Sequence, residues 1–404
     1  MFRMSTLKTK VCNFDVESGD DIVISGMSGR YPKSNNVAEF ASNLYNKVDM
    51  IDDRETRWRH TNPEIPRRSG KINNIGKFDS AFFGIGSKQV DSMDPQVRML
   101  MEHSHEAVLD AGLNPKELWG SNTAVVVGAS SAESEIFWLH GTTSKDGSGM
   151  TGSARTMLAN RISFALRLNG PSVTVDTACS SSLYALDFAY KLVSSGDCDA
   201  AIVGASNLNL SPSSTLQFAR LGVLSMEGIC RSFDDAASGY VRSEAITVFL
   251  LQKRSVARRV YATLVHSKTN CDGYKENGIS FPSSQIQAQL IQSFYKEIEL
   301  SPNTPRLGYI EAHITSTKVG DPEECKALDQ IFCTGRDGPI LVGSVKSNMG
   351  HAEPASGFCS LTKVLIAFEN QKIPPNLHFV KPKSGIPSLV EGRLKVVVES
   401  TDLP

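Results

Sequence analysis

Apolar and polar positions alternate along the first 255 residues in two distinct rhythms. "NTAVVVGAS" is a continuous apolar run ending in Gly128, and "DAAIVGASN" is another; each predicts a strand buried on both faces. "DIVISGMSGRYP" predicts a strand running into a glycine-rich loop, and "AITVFLLQKRSVARR" a strand followed by charge. Between them, "VAEFASNLYNKV" and "PQVRMLMEHSHEAVLDAG" carry apolar residues at helical spacing. The intervening "PEIPRRSGKINNIGKFDSAFFGIGSKQVDSMDP" is rich in glycine, proline and charge and predicts a long ordered excursion.

A second series follows. "YATLVHSKTNCDG", "LGYIEAH" and "ILVGSVKS" supply strands, and "SQIQAQLIQSFYKEIEL", "PEECKALDQIF" and "ASGFCSLTKVLIAFEN" supply helices. Strands alternate with helices in both series, which predicts an α/β protein of two comparable halves, 21–255 and 256–404, after a polar leader at 1–20.

One run combines both rhythms. In "VTVDTACSSSLYALDFAYKLVSSGDCDAAIVGAS" a strand-favouring stretch gives way to Leu183, Leu186, Tyr190 and Val193 at helical spacing. Asp176 and Thr177 offer N-cap chemistry, and Gly196 stands where the helix would end. Cys179 therefore falls at a helix start, where unpaired N–H groups and the helix dipole favour a thiolate, the nucleophilic form. The alternative is a small buried hydrophobe.

Composition narrows the field. The 404 residues hold 42 basic and 43 acidic side chains, a net charge of −1, which gives no electrostatic reason to expect a nucleic acid or membrane-surface partner. No apolar run approaches the ~20 residues of a membrane span, and the N-terminus has no signal-peptide core. A soluble, cytoplasmic protein is expected. The eight cysteines form no CxxC pairs, so neither a zinc module nor a disulfide framework is expected.

Two histidines fall at strand ends in the second half. His313 closes "LGYIEAH", and His351 lies in "VGSVKSNMGHAEPASG". Functional side chains gather at the carboxyl ends of strands in α/β sheets, so Cys179, His313 and His351 are predicted to converge on one cleft.

"DTACSSS", the "EAH" that leads into "TSTKVGDPEE", and "KSNMGHAEPASG", in that order, resemble the three active-site motifs of the β-ketoacyl synthases of type I fatty acid and polyketide synthases. The resemblance runs from about Asp21 to the end and is nearest to the animal fatty acid synthase branch, as in "IPRRSGKINNIGKFD" and "RRVYATL". It implies a thiolase-like α-β-α-β-α sandwich working as a homodimer. Cys179 would carry the acyl chain as a thioester, His313 and His351 would bind the malonyl carbonyl during decarboxylation, and Lys346 would support both imidazoles electrostatically. Thr315 and Thr317 would contact pantetheine, while Asp321 and Glu324 would fix the loop and cap the next helix. No bound cofactor or metal is implied. The acyl and malonyl groups would arrive on the phosphopantetheine of an acyl carrier protein, the other partners being the remaining fatty acid synthase domains. NADPH would serve only reductase domains, which these 404 residues lack.

Two departures from the family pattern give an alternative. His-Gly-Thr-Gly-Thr is usual at the first histidine, whereas this chain has "HITST". If either glycine position needs φ above zero, Ile314 or Ser316 is strained, and a side chain at 314 would intrude beside the imidazole. The final family strand and its Gly-Phe-Gly-Gly loop are also expected to be missing after Pro404. Both features point to a weak or inactive ketosynthase-like fragment serving as a dimerisation or interaction module. A cysteine hydrolase is disfavoured because it gives His351 no task.

Overall fold

The computed structural model describes residues 2–4, 18–140, 147–302 and 307–404. The apolar runs of the first half assemble into a seven-stranded sheet. Its strands in chain order are β1 (Phe2–Met4), β2 (Ile22–Arg30), β3 (Thr123–Gly128), β4 (Ser172–Val175), β5 (Ala200–Asn207), β6 (Ala245–Lys253) and β7 (Ala262–Leu264). Across the sheet they run β1-β7-β2-β6-β5-β3-β4. The β3 strand is parallel to β4 and β5, and the remaining pairs are antiparallel. Every residue of β3 and β5 is buried, as their unbroken apolar runs predict. Successive side chains of β3 point to opposite faces: Ala124 and Val126 join one apolar cluster, Val125 and Val127 the other.

The strand β7 opens the second series in sequence, yet it hydrogen-bonds into the first sheet, between β1 and β2. Of the leader at 1–20, Phe2–Met4 forms the outermost strand of this sheet, and 5–17 lie outside the described residues. A second sheet holds β8 (Tyr309–Glu311), β9 (Ile340–Gly343) and β10 (Leu394–Val396), all parallel.

Helices fill three layers. The outer face of the first sheet is covered by α1 (Pro95–Asp110), whose start is set by Pro95 at the first helical position and by Asp94, which accepts from the Gln96 N–H. Between the sheets lie α2 (Ser181–Ser194) and α5 (Ser356–Asn370). They pack on each other, α2 against β3 and β5, α5 against β6 and β8. The second sheet's apolar cluster takes in residues of α3 (Ser284–Glu297) and α4 (Gly320–Leu328), including Ala288, Tyr295, Cys325 and Leu328. This is the thiolase-like layering.

Two glycines permit the central layer. A Cβ on Gly357 would lie 2.6 Å from Leu183 Cγ, and one on Gly128 would lie 2.7 Å from the Ser181 carbonyl carbon, so α2 can approach both α5 and the end of β3. Phe358 of α5 meets Phe249 of β6 edge-on, with centroids 4.8 Å apart. Phe358 is fully buried, and truncating it to alanine would cost about 3–5 kcal/mol.

Candidate active site

Cys179 is presented by a tight turn between β4 and α2. Ala178, just before it, has φ +52°, and Cys179 itself precedes the N-cap residue Ser180. The sequence assigned N-cap duty to Asp176 and Thr177, and the structure uses them otherwise. Asp176 Oδ1 accepts from the Ala178 N–H at 3.1 Å, and Ser181 Oγ accepts from the Thr177 N–H at 2.9 Å. No side chain caps α2. Holding the chain in this turn takes up the polar groups that would otherwise close the helix end. Gly196, at φ +81°, follows the last turn as expected.

His351 is held from both sides. Its backbone N–H donates to Val241 at 2.8 Å, and its carbonyl accepts from Ser243 at 2.9 Å. The ring faces Tyr240 edge-on, with centroids 4.9 Å apart. The Glu353 N–H donates to Nδ1 at 3.3 Å, which assigns the ring hydrogen to Nε2, and Nε2 lies 3.0 Å from Cys179 Sγ. Glu353 is clamped by Arg242, whose Nε and Nη2 donate to its carboxylate at 2.7 and 2.9 Å. Tyr240, Arg242 and Glu353 had no role assigned from sequence; the charged Arg242 and Glu353, set among apolar or small neighbours, were the available signal.

His313 lies two residues past β8, with its ring centroid 5.2 Å from that of His351. Sγ of Cys179 and nitrogens of both rings all lie within 4.8 Å of one another, so the predicted convergence is present.

The loop after His313 hangs on Glu324. Its two carboxylate oxygens accept from the His313 and Ile314 N–H groups, each at 2.7 Å. Asp321 accepts from the Thr317 N–H at 3.2 Å. Both acids thus fix the loop. Thr315 and Thr317 are half-buried with their hydroxyls 3.1 Å apart, and Lys383 donates to the Thr317 carbonyl at 3.0 Å. Ile314 has φ +28° and Ser316 φ +63°, so both former glycine positions do adopt the left-handed backbone. The expectation that residue 314 would intrude on the imidazole is corrected. Ile314 is 1% exposed and joins the apolar cluster of Phe233, Ala312 and Cys325, where burial holds its side chain.

The electrostatics follow from burial around one cation. Lys346 is 1% exposed. Burial lowers its pKa, and Glu324, Glu311, Cys179 and Cys230 oppose that shift. Burial and then the Lys346 charge push both imidazoles well below the ordinary histidine range. His351 is 1% exposed, whereas His313 is solvent-exposed, so burial acts less strongly on His313. The neutral form of both rings is thereby favoured, and His351, with its hydrogen on Nε2, faces the thiol as a donor. Burial, aided by Glu353, pushes the Cys179 thiol up to about 11, while Lys346 acts in the opposite direction. The resting thiol is therefore protonated at neutral pH, contrary to the thiolate that its helix-start position suggests.

A thiol at a strand-to-helix turn, faced by two imidazoles and backed by a buried lysine, has the chemistry of a nucleophile beside hydrogen-bond donors. Comparison with known families then gives a specific answer. The pattern of the β-ketoacyl synthase N-terminal domain matches residues 19–257, and that of the C-terminal domain matches 261–380. The chain belongs to the β-ketoacyl synthase family. It is 47% identical over 351 residues to a fatty acid synthase sequence of the goose Anser anser anser, covering 87% of this chain and 99% of that sequence. It is 37% identical over 407 residues to a probable polyketide synthase of Dictyostelium discoideum, covering 97% of this chain but 16% of that protein. Among solved structures, an oxazolomycin ketosynthase domain of Streptomyces albus superposes with a TM-score of 0.87 at 34% identity, over 95% of this chain and 68% of that one. A ketosynthase from the bacillaene synthase of Bacillus subtilis gives 0.86 at 33%, over 95% and 67%. The chain is thus a ketosynthase of the fatty acid and polyketide synthase type. No helix among the described residues is long and apolar enough to cross a membrane.

Proposed function

We propose that this chain is the β-ketoacyl synthase of a fatty acid synthase, joining an acyl group on Cys179 to malonyl carried by an acyl carrier protein. The observation that carries this reading is the facing of His351 Nε2 and Cys179 Sγ at 3.0 Å, with the His313 ring alongside. In the first half-reaction Sγ attacks the acyl thioester carbonyl, the C–S bond to pantetheine breaks, and the thiol proton leaves with the pantetheine sulfur. In the second, the two neutral imidazoles donate to the malonyl thioester oxygen while the C–C bond to the carboxylate breaks and CO₂ departs. The resulting enolate carbon attacks the acyl carbonyl, and Sγ leaves as thiolate. Thr315 and Thr317, at the cleft beside His313, are the proposed pantetheine contacts. No bound metal or cofactor takes part. The fatty acid assignment is supported by 47% identity to the goose sequence against 37% to the Dictyostelium protein.

A homodimer is proposed through β4. This strand pairs on one side only, its residues are half-exposed, and Phe164, Ile136, Phe137 and Met150 are exposed at 81, 68, 58 and 58%. Acyl carrier protein and the other fatty acid synthase domains are the proposed partners, in the cytoplasm. The left-handed backbone at Ile314 and Ser316 favours a second reading, a dimeric module with little turnover.

The test is a condensation assay with acyl- and malonyl-carrier protein, run beside light scattering. A β-ketoacyl product from wild type and none from Cys179→Ala supports the enzyme. A particle of twice the chain mass without product supports the module.

A further inference from the structure

Behind the imidazoles lies a charged cluster that these steps do not use. Glu311 ends β8, two residues before His313, and its side chain is 4% exposed. One carboxylate oxygen accepts from the Tyr309 hydroxyl at 2.5 Å and meets Lys363 Nζ at 2.8 Å; the other accepts from the Val345 N–H at 2.6 Å. Lys363 is fully buried in the middle of α5, and its ammonium also stands 5.7 Å from the Tyr309 ring centroid. Val345 immediately precedes Lys346. At its start α5 also reaches the nucleophile, where Ser356 Oγ donates to the Cys179 carbonyl at 3.2 Å. One carboxylate therefore ties together the strand that carries His313, the turn that carries Lys346 and the helix that abuts Cys179.

Stability alone is a poor reason for this pair. A buried ion pair is often no more stabilising than apolar residues of equal volume, and here Lys363 meets Glu311 without a well-directed hydrogen bond. Its position gives it another task. Lys346 is faced by Glu311 from β8, Glu324 from α4, Cys179 before α2, Cys230 before β6, and the two imidazoles. Glu311 itself is faced by Tyr309, Lys363, Lys346 and Glu324.

We propose that Glu311 and Lys363 are positioning residues: Glu311 fixes the place and charge of the Lys346 ammonium, and Lys363 holds the Glu311 carboxylate where it does so. The ammonium in turn keeps both imidazoles neutral and eases ionisation of Cys179. The catalytic part of this inference rests on the function proposed above, but its first readout does not need turnover.

The test compares wild type, Glu311→Gln with Lys363→Met, and Glu311→Asp in the whole chain. Iodoacetamide alkylation of Cys179 is followed by peptide mass spectrometry from pH 6 to 10, which separates it from exposed Cys271. The double variant removes both charges together and is expected to keep its thermal midpoint within a few degrees. Without Glu311 the ammonium loses its proton at lower pH. Alkylation at pH 8 to 9 is then expected to fall about fivefold to tenfold, and the alkaline limb of malonyl decarboxylation to move roughly one pH unit toward acid with little change in KM. Glu311→Asp keeps the charge and is expected to follow wild type. Superimposable alkylation profiles for wild type and a folded double variant overturn the proposal. If the double variant does not fold, Glu311→Gln alone is set against Glu311→Asp, and equal profiles for those two overturn it. A wild type that alkylates normally but never releases CO₂ from malonyl thioester contradicts the proposed function instead, and leaves the alkylation comparison decisive.

Discussion

His351 faces Cys179 with Nε2 at 3.0 Å, while the Glu353 N–H takes its other ring nitrogen. The ring therefore offers the sulfur a hydrogen and cannot remove one. Burial pushes the thiol up to about 11, so the thiolate fraction rises through the whole range below that value. The alkylation rate of Cys179 by iodoacetamide is expected to climb about tenfold per pH unit from pH 7 to 9. A plateau below pH 8 would show a thiolate already formed at rest.

Much of this site was legible because three motifs each set a reactive residue at the end of an apolar run. Cys179, His313 and His351 were found that way, and the buried strands Thr123–Gly128 and Ala200–Asn207 from their unbroken apolar residues. What escaped depends on contacts between distant segments. Arg242 and Glu353 are 111 positions apart, and nothing local pairs them. Lys363, in "SLTKVLIAFEN", was signalled only by a charge within an apolar helix run, which reads equally as a solvated face. At Ile314 the sequence shows the missing glycine but not the apolar pocket that takes the side chain. The turn around Asp176 looks like a helix cap in sequence because capping and turn chemistry use the same residues.

Glu324 accepts from two adjacent N–H groups, at His313 and Ile314. Glu324→Ala would leave both without that partner, at roughly 1–3 kcal/mol each. Condensation is expected to drop at least a hundredfold, with a lower melting temperature, while iodoacetamide still labels Cys179. Turnover within threefold of wild type would show that the loop holds without its carboxylate.

Asp321 gives a pH signature. Burial raises its pKa from 3.8 to about 7, against the opposing Lys383 charge and backbone N–H groups. For an acid raised in the folded state, the stability it allows is complete below the unfolded value and is lost as pH rises through about 7. Asp321→Asn keeps an acceptor for Thr317 and removes the titration. It is expected to raise the melting temperature by a few degrees at pH 8 and by much less at pH 5, and an equal effect at both would contradict the assignment.

Ser316 and Ile314 share a left-handed backbone and should respond oppositely to glycine. Ser316 is fully buried at φ +63°, so Ser316→Gly relieves about 1–3 kcal/mol of strain and gives up only a weak hydroxyl contact with the Cys230 thiol. Ile314→Gly relieves similar strain but empties a buried apolar site, at roughly 2–5 kcal/mol. Thermal melts are expected to show Ser316→Gly above wild type and Ile314→Gly below it. The reverse order would show that the loop backbone is not strained.

The central claim is that Cys179 carries an acyl group which malonyl then removes. Peptide mass spectrometry after incubation with an acyl thioester measures this directly. The expected result is an acyl adduct on the Cys179 peptide, absent in Cys179→Ala, and discharged with CO₂ release when malonyl-carrier protein is added to the wild type but not to His351→Ala. No adduct on Cys179, or an adduct that malonyl-carrier protein leaves in place in the wild type, would contradict the account.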